Sequence, residues 1–572
     1  MKKQGFCEVK FRSMLLTGTL TMAVIYIMLL SDNIIAGFFI GETGVAAINA
    51  VTPITGIVTF FSTVISIGTG ILYSREIGAM NKRRADEIFG QGLIISFAIA
   101  AVSAVLLVLC RDVYFKANGV TGEIYDLARI YYRLTPLNAA LTVLVNYLTQ
   151  MVYTDGDEAV NNVSYGLQIM GNIVISVLLT RSYGMLGIIL GTILGNVLGL
   201  IAILTHFFRK SNSLHFVWHL SASDFVRSVK FSIVDAVIYL CWAAMDYVLI
   251  GYVSAHYGDT GLVTLAVVVS LIEFCVVLDG VGMAVQPLLG TYLGEKNHVM
   301  IRRLMRSAVK AALIEGIIAN LLVFLFARQF CGLFGISEGA ALIPSIQAVR
   351  IVSLSMTFCS AVSLMTSYYM LVDHVALSVG ITFLKDGVFY SFLPLFGSAL
   401  WGETGMWAAF AITPLLALLL SFLFIRLRYG KEDFPYLLGR MKVPIVVLDD
   451  SLTPENCAGL SERVNEEVRM RGYPERSATQ AALFTEEIGL TLIEKNKAAK
   501  KPLLIEISLF FEENSVLLVE RDSGVIFDVT DPELKIDGLS SFVINGLLNA
   551  QKEKAYLTTT GYNRNMIWFS KT

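Results

Sequence analysis

Apolar residues in this chain gather into runs of about twenty or more, the length a helix needs to cross a bilayer. Such runs lie near 14–39, 47–73, 89–110, 127–152, 161–180 and 184–208. A second set lies near 229–254, 262–289, 307–330, 343–371, 375–397 and 403–427. The pattern predicts twelve helices, six per half. After about residue 428 charged and apolar residues alternate at soluble density. There Val443–Leu448 reads as a strand, and Thr453-Pro454-Glu455 as a helix start with a capping hydroxyl and a proline in the first turn. Leu460, Val464 and Val468 share one face of that helix, and a second helix is expected over Ser477–Lys497. Leu503–Glu512 and Ser515–Arg521 read as paired strands, then a short helix, then strands Ala555–Thr559 and Met566–Ser570 around a turn at Gly561-Tyr-Asn-Arg. The fold class expected is an all-α polytopic membrane part in two six-helix lobes, followed by an α/β two-layer sandwich. The expected divisions are 1–215, 216–430 and 440–572.

The two membrane halves repeat their punctuation. Asp32-Asn-Ile-Ile-Ala-Gly37 returns as Asp246-Tyr-Val-Leu-Ile-Gly251, with Gly44 and Gly261 each opening the next apolar run. The blocks end alike, at Arg-Glu-Ile-Gly78-Ala-Met-Asn81 and Thr-Tyr-Leu-Gly294-Glu-Lys-Asn297. A duplicated bundle places a cavity and a rocking axis between its halves, the plan of many secondary transporters.

Composition agrees. Charged residues make up 16% of the chain, against about a quarter in soluble domains, and the mean hydropathy is +0.66. Lys2, Lys3, Lys10 and Arg12 precede the first run; Lys82, Arg83 and Arg84 follow the second; Arg209, Lys210, Arg227 and Lys230 join the halves; Lys296, Arg302, Arg303 and Arg306 follow the eighth. All fall on one side of a twelve-crossing chain, so both termini and the tail are expected in the cytoplasm, with the protein in the cytoplasmic membrane. The apolar run after Met-Lys-Lys continues to about Ile40, too long for a cleaved signal. A net charge of −2 says nothing about nucleic acid, but no basic stripe with interleaved aromatics appears, and no nucleic-acid partner is expected. Seven scattered cysteines without CxxC spacing read as apolar fillers, not metal ligands.

A carboxylate at the centre of a membrane helix costs about 2.5–3.5 kcal/mol to insert, so it needs a partner or water. Asp32 is the lone acid of its run. It either caps a helix kink near the interface or takes up a proton or Na⁺, with Asn172, and Asn49 or Asn196, as amide partners. Asp246 is its repeat mate, and Glu273 and Asp279 lie in the eighth run. These either form a second cation site or line a wet path. Lys385 adjoins Asp386, and adjacent helical residues point apart, so Lys385 is expected to pair with an acid on another helix. Asn146 and Gln150 share one face of the fourth helix, read first as helix packing.

Several segments resemble the multidrug and toxin extrusion (MATE) family. They are Asp32 with Gly37 and Gly44, Tyr153-Thr-Asp-Gly156-Asp, Asn172-Ile-Val-Ile-Ser176, Tyr183-Gly-Met-Leu-Gly187, Leu384-Lys385-Asp-Gly and Gly402-Glu-Thr-Gly405-Met-Trp407. The resemblance covers roughly residues 13–430. It departs at Ser176 and Tyr153, where the family often has aspartate and arginine. It implies a secondary transporter rather than an enzyme, an antiporter that exports small organic compounds, cations included, by alternating access in the lipid bilayer. H⁺ or Na⁺ would be the coupling ion, with Asp32 the coupling carboxylate, and no cofactor is required for transport.

The tail resembles the ATP-binding domain of anti-sigma-factor and histidine kinases through Glu486-Glu487, Asp522-Ser-Gly524-Val-Ile-Phe527-Asp528 and Gly561-Tyr-Asn563-Arg. That resemblance implies that Asp522 would accept from an adenine amino group and Gly524 would admit the ligand. Glu487 matches the family's helix glutamate, four residues before the magnesium-binding asparagine. Thr491 occupies the place of the family's magnesium-binding asparagine, and the phosphate lid is reduced to little more than Gly538, with Gly546 later. The tail is therefore expected to be a degenerate regulatory module, with ATP or a cytoplasmic regulatory protein as its partner. The rival functions are a transporter-like sensor whose tail binds nucleotide or protein, and a lipid-linked precursor flippase.

Overall fold

The structure is a computed structural model that describes residues 5–117, 122–334, 336, 338–431, 434–439, 443–497, 503–529, 539–551, 553–559 and 562–571. Its first half consists of α1 (Phe6–Phe39), α2 (Glu42–Gly78), α3 (Lys82–Ala117), α4 (Gly122–Tyr132), α5 (Thr135–Thr154), α6 (Glu158–Tyr183) and α7 (Met185–Leu204). The second half consists of α8 (Ala222–Phe274), α9 (Gly280–Gly294), α10 (His298–Leu325), α11 (Ala327–Leu333), α12 (Leu342–Ser353), α13 (Met356–Leu371), α14 (Val375–Thr382) and α15 (Tyr390–Tyr429).

Among the described residues seven helices are long and apolar enough to cross a membrane, or eight if α12 and α13, bent by 46°, form one span. Tight turns explain part of the distance from the twelve expected runs. The runs 375–397 and 403–427 lie on either side of a break within one long span, where the backbone leaves helical geometry at Trp401 and Gly402, whose φ of +63° lies in the left-handed region glycine tolerates. Gly258, φ +61°, likewise breaks α8, between the runs 229–254 and 262–289.

The repeated glycines account for how the halves meet. A Cβ on Gly78 would lie 2.3 Å from the Thr291 carbonyl oxygen, and one on Gly294 would lie 2.3 Å from that of Arg75. The ends of α2 and α9 thus cross with their backbones touching. Nearby, Asp157 caps α6 by accepting from Val160 N at 3.2 Å, and its other oxygen meets His206 Nδ1 at 2.9 Å. That contact stitches the start of α6 to the 3₁₀ turn after α7.

The C-terminal region holds β1 (Ile445–Ser451), α16 (Pro454–Met470), α17 (Glu475–Lys495), β2 (Leu504–Phe511), β3 (Ser515–Asp522), α18 (Leu539–Ala550), β4 (Lys554–Thr559) and β5 (Tyr562–Ser570). Thr453 caps α16 as its sequence suggests, accepting from Asn456 N at 3.2 Å. The strands form one antiparallel sheet in the order β1-β2-β3-β5-β4. Val464, Ala481 and Ile488 pack on one face with Ile507, Leu518 and Ile567. Phe510, Leu517, Val519 and Met566 cluster on the other with Met80, at the end of α2. With both faces covered, all eight residues of β2 are buried. One sequence expectation fails here. Tyr562, Asn563 and Arg564 belong to β5 rather than to a turn, because Asn563 pairs with Asp522 across the ladder and Arg564 with Arg521. Gly538 and Gly561 lie outside the described residues.

Candidate functional site

Asp32 sits on α1, 9% exposed, inside a cage contributed by three other helices. Asn172 of α6 donates to Oδ1 at 3.2 Å, and the Tyr131 hydroxyl of α4 donates to Oδ2 at 3.0 Å. Thr192 of α7 reaches both oxygens, at 3.3 and 3.1 Å. Asn172 also donates to Thr192 Oγ1 at 2.8 Å and accepts from the Ser31 hydroxyl at 2.9 Å, which fixes its amide with the nitrogen toward Asp32. The helices can converge here because α6 and α7 touch at glycine: a Cβ on Gly195 would lie 2.8 Å from Asn172 N.

Against this carboxylate lies a cavity of about 180 Å³, lined also by Thr52, Thr55, Asn138 and Thr142. The cavity is polar, shielded and roomy enough for water or a dehydrated cation. Donors surrounding a carboxylate favour its charged form, while burial opposes it, so the site is chemically suited to switching between loaded and empty. The structure brings Asp32 and Asn172 together. Asn196 does not reach Asp32; its amide nitrogen binds Asn138 Oδ1 at 3.0 Å and Thr142 Oγ1 at 3.2 Å on the same cavity wall. Asn49 is exposed. Tyr131 and Thr192 are donors that sequence reasoning missed.

The repeat mate of Asp32 has no equivalent cage among the described residues. Asp246 is half-buried on α8 and Glu273 is exposed. Lys385 does not pair across helices. Its ammonium lies 3.1 Å from Asp386 Oδ1 and 5.8 Å from the Tyr390 ring centroid. The reason is local: residues Phe383–Phe389 form a π-helical turn, whose wider winding swings neighbouring side chains out of ordinary helical spacing. One acid hydrogen-bonded across the halves inside the helices is a residue the sequence reading passed over. Glu315 of α10 accepts from Thr19 of α1 at 2.7 Å and from Ser360 of α13 at 3.3 Å. A lone acid inside the run 307–330 was the available signal.

Asn146 Nδ2 contacts Ser62 Oγ at 3.4 Å, a helix-packing contact between α5 and α2.

In the tail, Asp522 turns inward. Its Oδ1 accepts from Gly524 N at 2.7 Å and from Asn563 Nδ2 at 3.0 Å, while Asn496 Oδ1 takes Val525 N at 3.0 Å. A Cβ on Gly524 would lie 2.8 Å from Asn496 Nδ2. The aspartate and glycine expected beside an adenine are thus closed into a turn. Thr491 is buried and Glu487 half-buried on α17.

The sheet is also bolted to the helices. Arg564 of β5 meets Glu295 at 2.6 Å and donates to the carbonyls of Ile77 and Gly78, at the α2–α9 crossing. Arg521 of β3 bridges Glu295 and Glu506, the latter at 2.5 Å. Both arginines are 1% exposed. Arg303 of α10 binds Asp449 of β1 at 2.8 Å and Glu8 of α1 at 2.6 Å.

A carboxylate caged between membrane helices, in a chain whose halves repeat, defines a membrane transporter in outline. The MatE family model matches residues 19–179 and 233–384, and the chain belongs to the MATE family. It is therefore a multi-pass membrane protein of a family of efflux transporters, secondary transporters rather than enzymes. Among solved structures it is similar to a multidrug resistance MATE family transporter of the MOP superfamily in an outward-facing conformation. The identity there is 19%, the TM-score 0.69, and the match covers 77% of this chain and 97% of that one. A MATE structure in the bent conformation matches with 19% identity and a TM-score of 0.67, covering 77% and 97%. A MOP superfamily transporter from Pyrococcus furiosus, titled for a binding pocket of reverse polarity, matches at 19% identity and a TM-score of 0.68, covering 77% and 98%. At these identities the likeness is one of fold. No curated protein matches the chain.

Proposed function

We propose that this protein is a cation-coupled antiporter that exports small organic compounds by alternating access, through twelve crossings in two lobes, with both termini and the sheet domain in the cytoplasm. The observation that carries the proposal is the Asp32 cage with its adjoining cavity. Occupation of Asp32 by H⁺ or Na⁺ changes which of Asn172, Tyr131 and Thr192 it holds. Because those groups stand on α6, α4 and α7, the change shifts the packing of the first lobe. The driving force suffices: one charge crossing 100 mV yields about 2.3 kcal/mol, and a tenfold substrate gradient needs about 1.4 kcal/mol.

The tail acts in this account as a clamp rather than a motor. Arg564 joins Glu295, of the second repeat, to the end of α2, of the first, and Arg521 ties the same Glu295 to β2 through Glu506. Holding that crossing shut favours closure on the tail side, and undocking releases it. The inward-turned Asp522 supports a regulatory module that does not consume ATP.

The test is reconstitution of the full chain into liposomes under separately imposed pH and Na⁺ gradients, following a fluorescent organic cation, with and without ATP. One cation gradient alone should drive transport, with no ATP consumed. Transport that needs ATP and ignores both gradients contradicts the proposal.

A further inference from the structure

A groove of about 1730 Å³ runs between α1 and α10, outside the Asp32 site. On α10 its wall is built from Arg302, Arg306, Lys310, Ile314, Ile318 and Leu322, one position every fourth residue. At 1.5 Å per residue, the cationic part of that stripe, Arg302 to Lys310, spans about 12 Å and the apolar part, Ile314 to Leu322, about 12 Å more, within the roughly 15 Å of one leaflet's hydrocarbon. The facing wall changes in the same direction, from Arg12 to Leu15, Leu16 and Thr19. Ile314, Ile318 and Leu322 are 59%, 51% and 52% exposed, an apolar trough open along its length.

The charges at the mouth are available. Arg303, which also lines it, is satisfied by Glu8 and Asp449. Arg12, Arg302, Arg306 and Lys310 meet no carboxylate among the described residues; Arg302 lies 5.7 Å from the Tyr436 ring centroid. Glu315 lines the deeper groove, with its two oxygens engaged by Thr19 and Ser360. The cationic end is the one joined to the sheet domain through Arg303. On the orientation proposed above it therefore faces the inner leaflet.

We propose that this groove binds one anionic phospholipid of the inner leaflet, its phosphate against Arg302, Arg306 and Lys310 and an acyl chain along Ile314, Ile318 and Leu322. A free organic anion would use the mouth and leave the trough empty; a zwitterionic lipid would fill the trough and waste the charge. Because α1 and α10 belong to different repeats, the seated lipid touches both halves.

The test is native mass spectrometry of the full-length protein released from mixed phosphatidylglycerol–phosphatidylcholine micelles. The wild type should retain phosphatidylglycerol over phosphatidylcholine by about tenfold or more. Each basic residue near an anionic lipid is worth about fivefold. The variant R302Q/R306Q/K310Q should therefore bring the ratio within about twofold. Arg426→Gln with Arg428→Gln, on exposed residues at the end of α15 outside the groove, should leave the preference unchanged. Ile318→Trp, which fills the trough, should lower retention of phosphatidylglycerol. If the triple variant fails to fold, this variant decides alone. Sn-glycerol 3-phosphate, the headgroup anion without chains, should not displace the lipid. No preference in the wild type, its survival in the triple variant, its equal loss in the α15 control, full retention by Ile318→Trp, or displacement by glycerol phosphate would each overturn the proposal.

Discussion

The two repeats share their bends and differ in their chemistry. Asp32 and Asp246 occupy matching places, five residues before Gly37 and Gly251. Yet Asp32 is held by three hydrogen-bond donors from three helices, while Asp246 is half-buried with no such cage. Gly78 and Gly294, by contrast, do the same work in both halves, each letting its helix touch the other's backbone. Duplication has preserved what the backbone requires for two bundles to cross and has left the ionisable groups to diverge. The proposed coupling site accordingly lies in the first repeat.

That asymmetry breaks most easily at Asp32. Asp32→Asn, an isosteric change that keeps hydrogen bonding but removes the titrating group, should lower gradient-driven efflux by about 100-fold or more in liposomes, with expression unchanged. A loss that large at Asp246→Asn instead would move the coupling site to the other repeat. Glu295→Gln comes next. Removing one member of a buried ion cluster costs about 3–5 kcal/mol, because Arg521 and Arg564 lose their shared counter-charge. The tail should undock, seen as faster hydrogen exchange in β3 and β5. Asn172→Ala deletes one hydrogen bond to a charged group, worth about 1.5–3 kcal/mol. It should weaken coupling-cation affinity by about 10- to 100-fold while leaving transport measurable at high cation concentration.

The clamp has a pH dependence of its own. Burial pushes the Glu506 carboxyl up to about 7, with Arg521 opposing the rise and Glu295 adding to it. The docked tail therefore holds that proton up to about pH 7, whereas an undocked, solvated glutamate releases it near about 4.3. Docking should be strongest below about pH 4.3, weaken as pH rises to about 7 and level off above, because the docked state binds more protons across that window. Glu506→Gln should flatten the slope, read as tail hydrogen exchange against pH. The smallest effect is expected at Asp246→Asn, with efflux within about twofold of wild type, as for a half-exposed polar residue outside the machinery.

Much of this was legible in the residues because it depends on local pattern. Lone acids in apolar runs and repeated glycines stand out, and Asp32, Gly78 and Gly294 could be singled out on those grounds, with Asn172 added by the family resemblance. Lys385 misled because the expectation assumed regular helical spacing, and the π-helical turn at Phe383–Phe389 violates it. Tyr131 and Thr192 were invisible because a hydroxyl in a membrane helix carries no signature until three dimensions bring it to a carboxylate. The tail's order of elements was readable, but Arg521, between Glu520 and Asp522, and Arg564, between Asn563 and Asn565, read as ordinary polar strand ends. Their burial is created by docking onto the α2–α9 crossing, a contact between segments nearly five hundred residues apart, from Ile77 to Arg564.

The most direct measurement is cation binding by the purified full-length protein, followed by isothermal calorimetry for Na⁺ and by proton release to a pH indicator, with wild type and Asp32→Asn side by side. The wild type should bind one coupling cation, which added transport substrate displaces, and Asp32→Asn should bind none. Equal binding and displacement in the two proteins would contradict the assignment of coupling to the Asp32 cage.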